Sequence, residues 1–150
     1  MKKVIIANDH GALERKAILI KHLEERGYAV TDCGVNTTDS MDYPDKAVEA
    51  CERFTTEGDY EFGVLLCTTG IGISISANKS KGIRCALPQN AWAAEMTKRH
   101  NNSNFIAFAG SDNIPYPEPI TDILDAYIDG EYEGGRHQRR IDKVMNIEEK

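Results

Sequence analysis

The stretch Phe62–Ser74 constrains the fold more than any other part of this chain. It begins as an uncharged apolar run, reaches Cys67, and then turns through Thr-Thr-Gly-Ile-Gly. An apolar run that ends in a glycine-containing turn is typical of a buried parallel strand. The residues that follow, Ile73–Lys79, predict a short helix. A strand that passes through such a turn into a helix indicates an α/β fold.

Cys67 stands at the carboxyl end of this predicted strand, next to the turn. The N–H groups of the turn and the N-terminus of the helix are suited to binding an anion. The same positive potential stabilises a thiolate relative to a thiol. Taken alone, the residue is better described as a buried structural cysteine, which is the commoner role at a strand end.

Apolar and amphipathic segments alternate along the rest of the chain. Four more strands are predicted, at Val4–Ala7, Tyr28–Cys33, Ile83–Leu87 and Phe105–Ala109. Helices are predicted over Leu13–Glu24, Asp42–Phe54, Ala91–Arg99, Ile120–Ile128 and Glu133–Met145. This alternation predicts a three-layer, Rossmann-like α/β fold with a five-stranded parallel sheet and helices on both faces. We expect residues 1–150 to form one domain.

Two of the predicted strand-to-helix turns carry residues suited to chemistry. They are Cys67–Gly72 and Asn8–Gly11, which contains Asp9 and His10. Ligands of parallel sheets bind outside the carboxyl ends of the strands, where both turns lie. The two turns meet only if their strands are neighbours. Asp9 taken alone could equally cap the first helix.

Charge and composition exclude several functional classes. A net charge of −6 argues against binding to nucleic acid or to an anionic membrane surface. The first residues lack the pattern of a signal peptide, and no run of eighteen apolar residues is present. The cysteines form no C-x-x-C pair, which favours reduced thiols. These features predict a cytoplasmic protein.

Three other chemistries fit poorly. A dinucleotide site is disfavoured because Gly70-Ile71-Gly72 is followed by Ile75 where the third glycine is expected. A cysteine phosphatase needs an arginine in its loop, and Cys67–Ser76 contains none. The histidines show no metal-ligand spacing, so no metal is expected; they are His10, His22, His100 and His137.

Proton transfer on a small anionic substrate, without a cofactor, fits best. Cys67 would be the base, the N–H groups of Thr68–Gly72 an oxyanion hole, and His100 an acid or base. Arg136 and Arg140 lie four residues apart, on one face of a predicted helix, and suit a phosphate. His100 could equally be a polar helix-end residue, and arginines on terminal helices are usually solvated.

Taken together, these residues resemble the ribose-5-phosphate isomerase B family, which also contains galactose-6-phosphate isomerase. The similarity covers nearly the whole chain and rests on ordered motifs. They are Asn8–Gly11, Asp42–Pro44, Cys67–Ser74, Ala77–Lys79, Gly82–Arg84, His100–Asn104 and Glu133–Arg140.

The resemblance implies a metal-independent aldose–ketose isomerase that works through a cis-enediolate. It implies that Cys67 moves the proton between the two carbons, that Thr69 and the turn N–H groups hold the enediolate oxygen, and that His100 opens the cyclic sugar. Asp9 is grouped with this catalytic set. The substrate-binding set implied by the resemblance is Asp9, His10, Tyr43, Thr68, Thr69, Gly70, Ile71, Gly72, Asn101, Arg136 and Arg140. Members form homodimers or tetramers with shared active sites, and the C-terminal helix reaches a partner subunit.

Two departures from the family pattern bear on the substrate. Thr68 replaces a glycine that usually follows the cysteine, and its β-branched side chain restricts the turn. After the fifth strand the family has a glycine, one residue and a phosphate-binding arginine, but here the chain reads Gly110-Ser111-Asp112. Loss of one charge-assisted contact costs roughly 1.5–3 kcal/mol of binding.

Ribose 5-phosphate is the first expected substrate, with ribulose 5-phosphate as product. The missing arginine keeps a second hypothesis open, in which the substrate is a different four- to six-carbon sugar or sugar phosphate. A third is a sugar-phosphate-binding protein without catalysis, although binding alone requires neither Cys67 nor His100.

Overall fold

A sheet of five parallel strands organises the molecule. The computed structural model describes residues 1–150. The strands are β1 (Lys3–Asn8), β2 (Ala29–Asp32), β3 (Tyr60–Cys67), β4 (Cys85–Ala86) and β5 (Phe105–Ala109). Their order in the sheet is β2-β1-β3-β5-β4, so β3 lies at the centre with β1 and β5 beside it. The predicted parallel sheet is confirmed, and the two turns of interest follow neighbouring strands.

Six helices surround the sheet: the first five cover its two faces, and the last packs on the turn that follows the fourth. They are α1 (Leu13–Glu25), α2 (Tyr43–Glu57), α3 (Ile71–Asn78), α4 (Ala91–Met96), α5 (Ile120–Asp129) and α6 (Arg136–Asn146). A π-helical turn, Thr97–Asn101, extends α4, and a short 3₁₀ turn, Ile147–Glu149, follows α6. None of these helices combines the length and apolar character needed to span a bilayer.

The core divides into two layers because successive strand residues point to opposite faces. Along β1, Val4 and Ile6 pack with α1, α4 and α5, whereas Ile5 and Ala7 pack with α2 and α3. Every strand residue from Phe62 to Cys67 is buried, as expected for a central strand covered on both sides. The three-layer Rossmann-like architecture is therefore confirmed. That α6 reaches a partner subunit stays a prediction.

Three predicted boundaries are wrong. The fourth strand is only Cys85–Ala86, at the edge of the sheet, rather than Ile83–Leu87. The fourth helix does not run regularly to Arg99, because after Met96 it widens into the π-helical turn. The last helix begins at Arg136 rather than Glu133, since Gly134 and Gly135 have φ of +65° and +56°, outside the helical region.

Candidate active site

The turns after β1 and β3 meet at the carboxyl edge of the sheet. The Asp9 N–H donates to the Leu66 carbonyl oxygen at 3.0 Å, which places the first turn against the end of β3. The predicted residues gathered here are Asp9, His10, Tyr43, Cys67, Thr68, Thr69, Gly70, Ile71 and Gly72. We call this set the thiol half-site.

Cys67 is buried, with 4% of its surface exposed, and its sulfur faces the turn. The Gly70 N–H donates to Cys67 Sγ at 3.2 Å. Gly70 has φ +76°, and a Cβ there would lie 2.7 Å from the Leu87 side chain and 2.9 Å from the Phe108 backbone. Only glycine combines that conformation with that close approach. The turn therefore aims a backbone N–H dipole at the sulfur.

Thr69 supports the start of α3. Its Oγ1 accepts from the Ile71 N–H at 3.1 Å, so the hydroxyl proton stays free to donate to a ligand. Because the N–H groups of Gly70 and Ile71 are engaged within the turn, those of Thr68, Thr69 and Gly72 are left to meet a substrate anion.

The other members of the thiol half-site are held by specific contacts. Asp9 is buried, and its Oδ1 accepts from the Gly11 N–H at 2.8 Å. It does not cap α1, whose N-cap is Ala12, so the plainer explanation for Asp9 is wrong. His10 Nδ1 accepts from the Met41 N–H at 3.3 Å, which in the neutral ring puts the proton on Nε2. The Tyr43 ring lies against Gly72, where a Cβ would come within 2.5 Å of Cζ.

Thr68 is accommodated by a glycine on the neighbouring turn. A Cβ built on Gly11 would lie 2.3 Å from Thr68 Oγ1 and 3.4 Å from its Cβ. The threonine hydroxyl therefore occupies space that any other residue at position 11 would fill. The unusual Thr68 and the small Gly11 form one packing unit.

We expect Gly11→Ala to destabilise the protein by about 1–3 kcal/mol, because the new methyl group overpacks the Thr68 hydroxyl. Adding Thr68→Ala should recover most of this loss, since the Cβ at position 68 and Asp9 Oδ1 then remain as neighbours at 3.4 Å, an ordinary van der Waals distance. Urea unfolding of wild type, both single variants and the double variant measures the coupling. Additive effects of the two substitutions would show that the contact does not limit position 11.

The remaining predicted residues lie at the opposite end of the strands, near the amino-terminal end of β5. His100 and Asn101 belong to the π-helical turn that precedes β5, and Arg136 and Arg140 lie on α6, which packs on that turn. We call these four residues the histidine half-site. Cys67 pairs with Ala109 at the far end of β5, so the strand length of about 13 Å separates the two half-sites within one chain.

A carboxylate not assigned from the sequence organises the histidine half-site. Glu133 Oε2 accepts from Arg99 Nε at 2.6 Å and lies 3.8 Å from His100 Nε2, while Oε1 lies 3.3 Å from His137 Nε2. The hydrogen bond from Arg99 lowers the pKa of Glu133. The imidazoles of His100 and His137 stack with centroids 4.3 Å apart. The i,i+4 spacing of Glu133 and His137 was the available sequence signal.

His137 is the one buried side chain whose polar atom, Nε2, makes no hydrogen bond. Burial, reinforced by the adjacent Arg136, lowers the pKa of His137, so the ring is neutral near pH 7. Arg136 and Arg140 are exposed and take no part in the salt bridges, which engage Arg15, Arg26, Arg53 and Arg99 instead. These two guanidinium groups, one helical turn apart, are available to bind an anion.

The group His100, Glu133 and His137 brings three potential metal ligands within 4.8 Å of one another. A shared ion must lie about 2 Å from each nitrogen and close to both ring planes. The two rings are stacked and nearly parallel, at 11°, and Glu133 already accepts a hydrogen bond from Arg99. The arrangement therefore does not fit a preformed metal site.

Comparison with known proteins points to one family. The family model described as Ribose/Galactose Isomerase matches residues 4–144. The ribose-5-phosphate isomerase B of Escherichia coli is 36% identical over 150 residues, covering 100% of this chain and 99% of the relative. A Bacillus subtilis protein, 39% identical over 149 residues and covering 99% and 98%, is described only as a candidate sugar phosphate isomerase.

Solved structures agree with the sequence relatives. The ribose-5-phosphate isomerase B of Clostridium thermocellum superposes with a TM-score of 0.90 at 37% identity, covering 98% of this chain and 97% of the other. That of Mycoplasma genitalium, solved with bound ribulose-5-phosphate, gives 0.90 at 34% identity, with coverage of 99% and 97%.

Proposed function

The chain belongs to the ribose/galactose isomerase family, and we propose that it converts ribose 5-phosphate to ribulose 5-phosphate with Cys67 as the base. The observation that carries this proposal is the buried Cys67 sulfur, which accepts the Gly70 N–H at the start of α3. A thiolate beside unengaged N–H groups can accept a proton from carbon while the neighbouring oxygen becomes negative.

The proposed reaction moves one proton between adjacent carbons. His100 first donates a proton to the ring oxygen while the C1 hydroxyl releases its proton to water, and the ring opens to the aldehyde; water then returns a proton to His100. The Cys67 thiolate then takes the proton from C2, and the cis-enediolate forms with its charge against Thr69 and the free turn N–H groups. The thiol returns the proton to C1, and the hydroxyl proton of C2 moves to the C1 oxygen, which gives the ketose. No cofactor takes part.

We infer that two copies of the chain build each active site. Cys67 and His100 lie at opposite ends of the strands of one sheet, so one copy must supply the thiol half-site and the other the histidine half-site. Arg136 and Arg140 of the second copy would then hold the phosphate.

The surfaces beside the two half-sites are suited to such an assembly. Next to the thiol half-site, α3 exposes 50% of Ile71 and 57% of Ile75. Next to the histidine half-site lies a groove of about 440 Å³ whose lining includes Asn101, Ile141 and Val144. Seating the α3 isoleucines of one copy in the groove of the other would bring the half-sites together and bury both apolar surfaces.

We expect Ile75→Asp to break this assembly, because a carboxylate would enter an apolar contact without a partner. The variant should run as a monomer by light scattering and lose at least about 100-fold in kcat/KM, a loss within the reach of catalytic groups that are no longer positioned. Thermal unfolding should show a folded chain. The matched control is Ile18→Asp on α1, at 43% exposure. A monomeric Ile75→Asp protein with normal turnover would contradict the shared site.

A further inference from the structure

The segment after β5 forms a rim of the thiol half-site. The Gly110 N–H donates to the Cys67 carbonyl oxygen at 2.7 Å, and the Ser111 N–H donates to that of Thr68 at 3.1 Å. A Cβ on Gly110 would lie 2.3 Å from the Ala12 side chain, so the segment is also pressed against the start of α1. The residues that follow Ser111 therefore stand directly beside the turn that carries the thiol.

Asp112 is the only charged residue of this rim segment, Gly110–Ile114, and its side chain is 97% exposed. Its nearest cation is Arg15 of α1, with Nη2 at 3.6 Å from Oδ1. At that distance and exposure the pair is weak, so the carboxylate oxygens are left to accept hydrogen bonds from a ligand.

Arg15 itself is committed to the rim. Its Nη1 donates to the carbonyl oxygens of Ala109 at 2.6 Å and Ile114 at 3.2 Å, and its guanidinium lies 5.4 Å from the centre of the Tyr116 ring. Only 14% of the side chain is exposed. Arg15 therefore fixes the backbone of the rim segment, and the charged group that this segment exposes is the carboxylate of Asp112.

A carboxylate and a phosphate dianion repel each other, whereas a carboxylate accepts strong hydrogen bonds from hydroxyl groups. Resting on the proposed function, we infer that Asp112 is a specificity-determining residue: the rim receives a hydroxyl-bearing, uncharged part of an aldose and disfavours a phosphate. Any phosphate is then bound by Arg136 and Arg140 of the second copy, without help from the rim.

The test compares ribose 5-phosphate with ribose, using wild type, Asp112→Asn and Asp112→Arg. Asp112→Asn removes the charge, and we expect the ratio of kcat/KM for the phosphorylated sugar to that for the free sugar to rise severalfold, mainly through KM. Asp112→Arg adds a phosphate-binding cation and should raise the ratio by roughly tenfold or more. Glu52→Gln, an exposed change on α2, controls for the loss of one negative charge far from the rim.

Calorimetric affinities for the same two sugars, measured in a Cys67→Ala background, test the rim without requiring turnover. There, too, ribose 5-phosphate should gain affinity relative to ribose when Asp112 is replaced. An unchanged ratio in both Asp112 variants, in rates and in affinities, overturns the inference and leaves the isomerase proposal standing. Absence of turnover in wild type on either sugar overturns the isomerase proposal instead, while the affinity ratio still decides the role of Asp112.

Discussion

Cys67→Ala is expected to lower kcat by about 10²–10⁴-fold, the range that a positioned general base contributes. The variant removes the sulfur that we propose as the base, together with its hydrogen bond from the Gly70 N–H. The hydrogen bond from the Ile71 N–H to Thr69 Oγ1 remains and keeps the turn in place. Binding of ribose 5-phosphate, measured by calorimetry, should change less than about threefold, because the proposed phosphate contacts lie on α6 of the second copy.

Two further variants separate base chemistry from packing. Cys67→Ser keeps the shape of the side chain but not its acidity, so it should be nearly as inactive as Cys67→Ala. Cys51→Ala is the matched control, because Cys51 is also buried and burial raises the pKa of its thiol to about 11, which keeps it protonated. It should keep its kcat. Normal turnover in Cys67→Ala would exclude the cysteine base, and a wild-type protein that binds the sugar phosphate without turnover would favour the non-catalytic alternative.

The elements that the sequence predicted best are those set by local pattern. Phe105–Ala109 is a strand with the bounds expected from its apolar run, and the α3 turn falls where the glycines of Cys67–Gly72 place it. Both follow from short-range features, namely an uninterrupted apolar segment and a residue able to adopt positive φ. The turns Asn8–Gly11 and Cys67–Gly72 could be predicted from the sequence for the same reason, since each directly follows such an apolar segment.

The contacts that the sequence did not reveal are long-range. That Asp9 adjoins Cys67 depends on β1 lying next to β3, which only the order of strands decides. The pairing of Gly11 with Thr68 and the use of Arg15 to hold the segment after β5 join residues more than fifty positions apart. No spacing rule in one sequence can identify such pairs, because each depends on how helices and turns pack.

The same limit applies to the position of His100, and it leads to the sharpest test of the proposed site. Sequence patterns could group His100 with Cys67 by chemical role. In the fold, His100 precedes the first residue of β5 and Cys67 pairs with its last, so the two residues lie at opposite ends of the strand. A chain with one intact half-site should therefore be inactive alone and active beside a chain with the other half-site intact.

We expect Cys67→Ala and His100→Asn, each about 10²–10⁴-fold less active than wild type, to complement each other when co-expressed or mixed after reversible dissociation. Random pairing makes half of the dimers mixed, and each mixed dimer has one site with both native residues, so about a quarter of wild-type activity should return. A mixture of Cys67→Ala with Cys67→Ser should recover nothing, since every site then lacks the thiol. If subunit exchange is demonstrated and the first mixture stays inactive, the two residues do not meet across an interface, and the proposed catalytic role of His100 fails, because within one chain it lies too far from Cys67 to act on the same sugar.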